Sequence, residues 1–192
     1  MRIGNIVLQR KPLHTPDKTT VKNAIFEAIH SEGETLLSFN DEANQIQNRV
    51  MSMRIRSPKE HWPDYLTSAL LENVENWLEP YLIDIKRNED LEKISLKEIL
   101  NYSLSPQKQK QLSILAPKGV NVPSGSSIKV KYSPHGSPPV LAVRQQEVFG
   151  MSESPTVNQG KMAVIMHLLS PGFKIVQITL LFSQFVLHVK VH

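Results

Sequence analysis

Few side chains in this sequence have the type and spacing that chemistry needs. Cysteine is absent from the 192 residues, which removes disulfides, thiolate metal ligands and thiol nucleophiles. Neither GxxxxGK(S/T) nor GxGxxG occurs, so no recognisable loop of backbone N–H groups is available to cradle a nucleotide's phosphates. His14, His30, His61, His135, His167, His188 and His192 are scattered, with no HExxH or paired-ligand spacing. They are read as surface or structural residues, and no metal site is expected. Ser124-Gly125-Ser126 lacks the GxSxG elbow and an evident base, and reads as a turn. Glu72, Glu75 and Glu79 fall at helical spacing, which makes them a solvated face and not an acid–base pair. Trp62 and Trp77 could stack on bases, but Trp77 sits in an apolar stripe and is better read as core. The sequence therefore offers no catalytic residues.

Charge is the remaining signal. Residues 1–118 hold 16 Lys/Arg and 16 Asp/Glu, whereas residues 119–192 hold 6 Lys/Arg against Glu147 and Glu153 alone. The whole net charge of +4 thus lies in a segment poor in carboxylates, which can attract phosphate with little internal competition. Within it, Ile128-Lys129-Val130-Lys131-Tyr132 alternates, placing Lys129 and Lys131 on one face of a strand and Ile128, Val130 and Tyr132 on the other. A strand-rich region that merely uses lysine on its solvent face would read the same way.

The elements that must position these residues follow from periodicity. The apolar run Ile3 to Leu8 predicts a strand. Thr15-Pro16 predicts a helix start, with Val21, Ala24, Ile25, Ala28 and Ile29 as its buried face and Gly33 as its stop. A second helix opens at Asn40, with Asp41 and Glu42 in its first turn and Ile46, Val50 and Met53 as its stripe; Pro58 lies beyond its end. A third runs from Thr67 through Leu70, Leu71, Val74, Trp77, Leu78 and Tyr81. Ser95 and Glu98 have the spacing of a capping box before Leu96, Ile99 and Leu100. Ser105-Pro106 starts a short helix carrying Leu112 and Leu115 and ending at Pro117. After Gly119 the pattern changes to β-like runs at Ile128 to Tyr132, Val140 to Gln146, Met162 to Leu169 and Lys174 to Thr179. Helices first and strands later predict an α+β chain, divided into a mainly helical segment 1–118 and a β-rich unit 119–192. Proline outnumbers glycine 13 to 8, which points to stiff connections. No apolar run is long enough for a membrane-spanning helix, and the start lacks the pattern of a secretory signal, so a cytoplasmic protein without membrane contact is expected.

Several strings in a fixed order carry a family resemblance. They are Gly4 to Leu13 (GNIVLQRKPL), His61 to Leu82 (HWPDYLTSALLENVENWLEPYL), Leu115-Ala116-Pro117, Val122 to Ser126 (VPSGS), Pro139 to Gly150 (PVLAVRQQEVFG) and His167 to Pro171 (HLLSP). Over roughly residues 4–179 the chain resembles the C-terminal region of HrpB-type bacterial ATP-dependent helicases of the DEAH-box class. The resemblance implies an accessory module made of a helical segment and a β-rich, OB-like unit. The P-loop and DEAH box of the two RecA-like motor domains are missing, so ATP and Mg belong to the motor and no cofactor to this chain. After Gln177-Ile178-Thr179 the family pattern continues with Asp-Leu, then Phe-Trp, then a basic tail. Here Leu181 stands at the Asp position and Val186 at the Trp position, while Phe185 aligns, and a truncated or frame-shifted reading frame is expected. The uncharged, β-prone stretch Ile175 to Val189 predicts poor solubility for the isolated chain.

The resemblance implies no enzyme activity for this chain alone, although its family hydrolyses nucleoside triphosphates as helicases. It implies that the module guides single-stranded nucleic acid, RNA rather than DNA, and packs on the motor domains. The residues expected to touch the strand are Lys129, Lys131 and Arg144, with Gln145 and Gln146 hydrogen-bonding sugars or phosphates. The alternative is a docking scaffold for the motor that contacts no nucleic acid, with Arg144 tying the β unit to a helix carboxylate and the lysines merely solvated.

Overall fold

A short antiparallel pairing begins the chain, β1 (Arg2–Ile3) against β2 (Ile6–Val7), in place of the single strand expected from Ile3 to Leu8. The computed structural model describes residues 2–3, 6–7, 17–83, 85 and 88–179. Thr15-Pro16 and the tail from Leu180 onward, with the expectations placed on them, lie outside these. Helix α1 (Lys18–Glu32) starts at Asp17, whose carboxylate accepts from the Thr20 backbone N–H at 2.9 Å, and stops at Gly33 with φ 58°. Phe26 and Ile29 are its buried residues; Ala24, expected on that face, is exposed.

Helix α2 (Asp41–Arg56) starts at Asn40, whose side-chain oxygen accepts from the Glu42 and Ala43 backbone N–H groups at 3.1 and 3.0 Å. Beyond the expected Ile46, Val50 and Met53, it buries Gln47, Arg49 and Ser52, because other elements cover it on several sides. The expected third helix is broken in two, α3 (Thr67–Glu72) and α4 (Val74–Leu78). The break falls at Asn73, whose φ −122° and ψ 33° leave the helical region. Next come α5 (Asn88–Glu92), α6 (Leu96–Tyr102) and α7 (Pro106–Leu115). Ser95 precedes α6 without a side-chain capping bond, so the expected capping box is not formed. At α7, Ser105 accepts from the Lys108 backbone N–H at 3.3 Å, with Pro106 in the first turn.

Seven strands follow: β3 (Gly119–Asn121), β4 (Ser127–Lys131), β5 (Val140–Arg144), β6 (Thr156–Val157), β7 (Met162–Ala163), β8 (Ile165–Leu169) and β9 (Ile175–Thr179). A five-stranded sheet has the order β3-β4-β5-β8-β9, while β6 and β7 pair separately. Only β5 and β8 run parallel within it, from Val140 opposite Ile165 to Arg144 opposite Leu169. Their crossover contains the tight turn Gln145–Val148 and the β6–β7 pair. The α+β class holds. Among the described strands the sheet is open and mixed, with β3 and β9 at its edges, so the expected OB-like closure is not seen.

Contacts divide the chain into two compact units, one comprising Met1–Ser38 and Asn73–Ile94, the other Phe39–Glu72 and Ser95–His192. The compositional change at residue 118 falls inside the second, where α7 passes directly to β3. In the first unit, Lys22 pairs with Glu79, and His30 lies 3.6 Å from Glu75. In the second, α6 and α7 pack on α2, and Ile46, Val50, Leu100, Leu112, Val130, Leu141, Val143, Met166 and Leu168 are all buried. At ~25 cal/mol per Å² of apolar surface removed from water, such residues dominate the favourable side of folding.

Candidate nucleic-acid interface

Strand register determines which basic residues meet. Lys131 lies opposite Val140, Gly119 opposite Lys129, Ala142 opposite His167, and His167 opposite Ile178. Side chains alternate along a strand, so Lys129, Lys131, Ala142, Arg144, His167 and Ile178 share one face of the sheet. Val130, Leu141, Val143, Met166 and Leu168 take the other and are buried. Lys129 and Lys131 are exposed, as the alternation predicts.

Arg144 is engaged differently. Its guanidinium donates from Nε to Glu147 Oε1 at 2.8 Å and stands 2.7 Å from that oxygen through Nη2. Its carbon also sits 5.8 Å from the Phe173 ring centroid. Glu147 is largely buried in the turn that follows β5, and its Oε2 has no hydrogen-bond partner among the described residues. The arginine therefore neutralises an interior carboxylate as well as facing solvent. In that same turn Gln145 is half-buried and Gln146 exposed.

A cluster that the sequence did not signal lies beside Lys129. A cavity of about 350 Å³ is lined by Glu42, Gln45, Ile46 and Arg49 of α2, Lys97 of α6, Lys118 and Gly119 at the start of β3, and Ser127, Lys129 and Val130 of β4. Four cations and one carboxylate thus line one cavity. Lys97 Nζ donates to Glu42 Oε1 at 3.0 Å, and this bond, then the charges of Lys97, Lys129 and Lys118, holds the Glu42 carboxyl below its ordinary range. Arg49 is only 4% exposed. Its Nε donates to the Ala116 carbonyl at 2.6 Å and its Nη2 to the Leu112 carbonyl at 3.3 Å. The Ala116 carbonyl belongs to the C-cap of α7, where helix acceptors lack internal partners, while the Leu112 carbonyl also accepts from the Ala116 N–H at 3.0 Å. Burial lowers the Arg49 pKa, yet a guanidinium remains charged at any physiological pH. Gly119 lets β3 approach β4 closely: a Cβ there would lie 3.0 Å from both the Ser127 hydroxyl and the Ile128 carbonyl oxygen.

Other candidates resolve into structure. Ser124-Gly125-Ser126 is a turn, with Gly125 at φ 88° and its N–H donating to the Val122 carbonyl at 2.9 Å. Trp62 and Trp77 are both buried, and Lys108 covers the Trp62 ring at 4.4 Å from its centroid. Among the described residues no three His, Asp or Glu gather as a metal-ligand set, and no helix is long and apolar enough to cross a membrane.

Compared with known families, residues 77–188 match the model of the ATP-dependent helicase C-terminal family, HrpB_C. The chain belongs to that helicase C-terminal family. This HrpB-type sequence is 31% identical over 185 residues to the ATP-dependent RNA helicase HrpB of Escherichia coli (strain K12), covering 96% of this chain and 23% of that protein. Two solved structures agree. The E. coli DExH-box NTPase HrpB superposes with a TM-score of 0.84 at 31% identity, over 93% of this chain and 22% of that one. The E. coli DEAH/RHA helicase HrpB gives 0.79 at 30%, over 96% and 23%. The chain thus spans less than a quarter of the length of these relatives, and it corresponds to their C-terminal region.

Proposed function

We propose that this chain is the accessory C-terminal part of an ATP-dependent helicase and guides a single nucleic-acid strand, RNA before DNA, while packing on the motor domains. In this reading it has no ATPase of its own, acts in the cytoplasm, and leaves nucleotide and magnesium to the motor. The observation that carries it is the exposed pair Lys129 and Lys131 on the outer sheet face, with Arg144, Gln145 and Gln146 at the end of the neighbouring strand. Cations at strand spacing can follow a phosphate backbone without reading its sequence. The RNA preference is carried over from the name of the E. coli relative.

Fluorescence anisotropy with a labelled single strand tests this. Binding should weaken linearly in log–log form as salt rises, by about 0.7 per phosphate neutralised. Exchanging both Lys129→Ala and Lys131→Ala should flatten that slope by about 1.4. RNA should bind more tightly than DNA of the same sequence. A second reading, a docking scaffold without nucleic-acid contact, is favoured by the exposed apolar residues Phe173, Ile175, Val176 and Ile178. No binding to either strand at low salt would decide for it, and ATP hydrolysis by the purified chain would overturn both.

A further inference from the structure

The cavity between α2, α6, β3 and β4 already contains an anion. Glu42 points its carboxylate at Lys97 and feels Lys118 and Lys129 through space. A phosphate group has the same charge sign and the same oxygen acceptors as that carboxylate, and is drawn to the same donors. The Glu42 and Lys97 side chains are 59% and 38% exposed, and ion pairs so open to water contribute little to stability. An incoming anion can therefore replace Glu42 at small cost. The backbones of the cations behind the site are held: Arg49 is fixed by two helix carbonyls, Lys118 just before β3 accepts from the Val130 N–H at 3.0 Å, and Lys129 lies on β4 opposite Gly119.

We infer that this cavity is a phosphate subsite for one backbone phosphodiester of the bound strand, and that Glu42 is its built-in competitor, held in the place the phosphate takes. The inference rests on the nucleic-acid reading above for the identity of its ligand. It adds a regulated contact beside Lys129 of the lysine-bearing sheet face, made of residues from α2, α6, the start of β3 and β4. The carboxylate weakens binding to any strand, which keeps the module from retaining nucleic acid that a motor must move.

The test compares Glu42→Gln, which keeps size and can still accept from Lys97, with Glu98→Gln. Glu98 is an exposed residue of α6 that does not line the cavity, and its exchange changes net charge equally. Each variant is titrated with a single strand carrying a 5′-hydroxyl or a 5′-phosphate, and with inorganic phosphate while the Gly119 and Ser127 amide signals are followed by NMR. Glu42→Gln should bind the 5′-hydroxyl strand about five- to tenfold more tightly at low salt, with a salt slope steeper by about 0.7 as Lys97 is released to neutralise a phosphate. Lys118→Ala should reverse both effects. Equal tightening by Glu98→Gln would reduce the effect to net charge and overturn the inference, as would an unchanged Glu42→Gln slope. Tightening confined to the 5′-phosphate strand would overturn the phosphodiester assignment. If no strand binds the wild type, the nucleic-acid reading fails; saturable phosphate shifts at Gly119 and Ser127, stronger in Glu42→Gln, would still support the subsite, and their absence would end it.

Discussion

Arg49 shows how a buried charge is tolerated without a carboxylate. Its two carbonyl acceptors at the end of α7 replace part of the hydration it loses, and the helix dipole adds a favourable field. Arg49→Met keeps the apolar stem but takes the guanidinium donor from the Ala116 carbonyl, while the Leu112 carbonyl keeps the Ala116 N–H; this should cost about 1–3 kcal/mol in urea unfolding. Arg49→Lys should recover less than half of that, since a single ammonium cannot reproduce the planar fork. An unchanged midpoint in Arg49→Met would show that water replaces the guanidinium. Tyr132 sits next to this system, its hydroxyl donating to the Pro117 carbonyl at 2.9 Å. Burial raises its pKa, and the positive Arg49 only partly opposes this. An unfolded tyrosine ionises near pH 10, so above that value the unfolded state loses the proton first. Stability present below that point should then fall as pH rises past about 10, and keep falling until the folded tyrosine also ionises, more steeply in the wild type than in Tyr132→Phe. At this scale the sequence disclosed Lys129 and Lys131 through simple alternation. It did not disclose Arg49, Lys97 and Lys118, because three elements far apart in the chain bring them together and no local spacing records that. Nor could it show that Arg144 faces Glu147, since three residues across a strand end have no fixed geometry until the turn is known.

Among the elements, α2 has the strongest local signals, and its start agrees with them. Asn40 serves two backbone donors at once, and Asn40→Ala should cost about 1 kcal/mol, seen as a lowered melting temperature. Where tertiary demands intervened, local reading failed. The stripe from Thr67 to Tyr81 reads as one helix, yet the chain turns at Asn73 and its two halves serve different units. Ser95 and Glu98 have capping-box spacing, but Ser95, at ψ 88°, makes no side-chain capping bond to the helix. The three-residue β3 and two-residue β6 are too short to show any period. The connector after β4 carries its own constraint. Gly136 has φ 66°, its carbonyl accepts two bonds from Arg56, and a Cβ there would lie 2.9 Å from Ile55 Cγ2. Gly136→Ala should therefore destabilise by about 1–3 kcal/mol. Adding Ile55→Ala should remove the 2.9 Å contact but leave the residue 55 Cβ at 3.2 Å and the backbone strain, so only part of the loss should return. Full recovery would assign the whole penalty to the clash.

For the whole molecule, the opposite edges of the sheet differ in character. The β3 side borders the basic cavity, whereas among the described strands β9 is the other edge, with Ile178 61% exposed and Phe173, just before it, 69% exposed. Edge strands present unpaired backbone donors and acceptors, and charges, prolines or bulges are what normally prevent pairing with another chain. Here β9 (IVQIT) has neither charge nor proline, and its register shift lies at Leu168/Leu169 on the neighbouring strand's ladder. Apolar side chains and a backbone edge that no described strand covers, in one place, favour sheet-to-sheet association between copies. Exchanging Ile175→Thr together with Ile178→Thr keeps β-branched residues, and so the strand's local preference, while removing much of the apolar surface and leaving charge unchanged. The expected result is a wider concentration range of monomer by light scattering, with a melting temperature within a few degrees of the parent chain, because exposed side chains contribute little to the core. If the parent chain is already monodisperse at high concentration, the edge is protected by other means and the double exchange should change nothing. If the double exchange instead unfolds the sheet, these isoleucines are part of its packing, and the exposed edge is not what limits solubility.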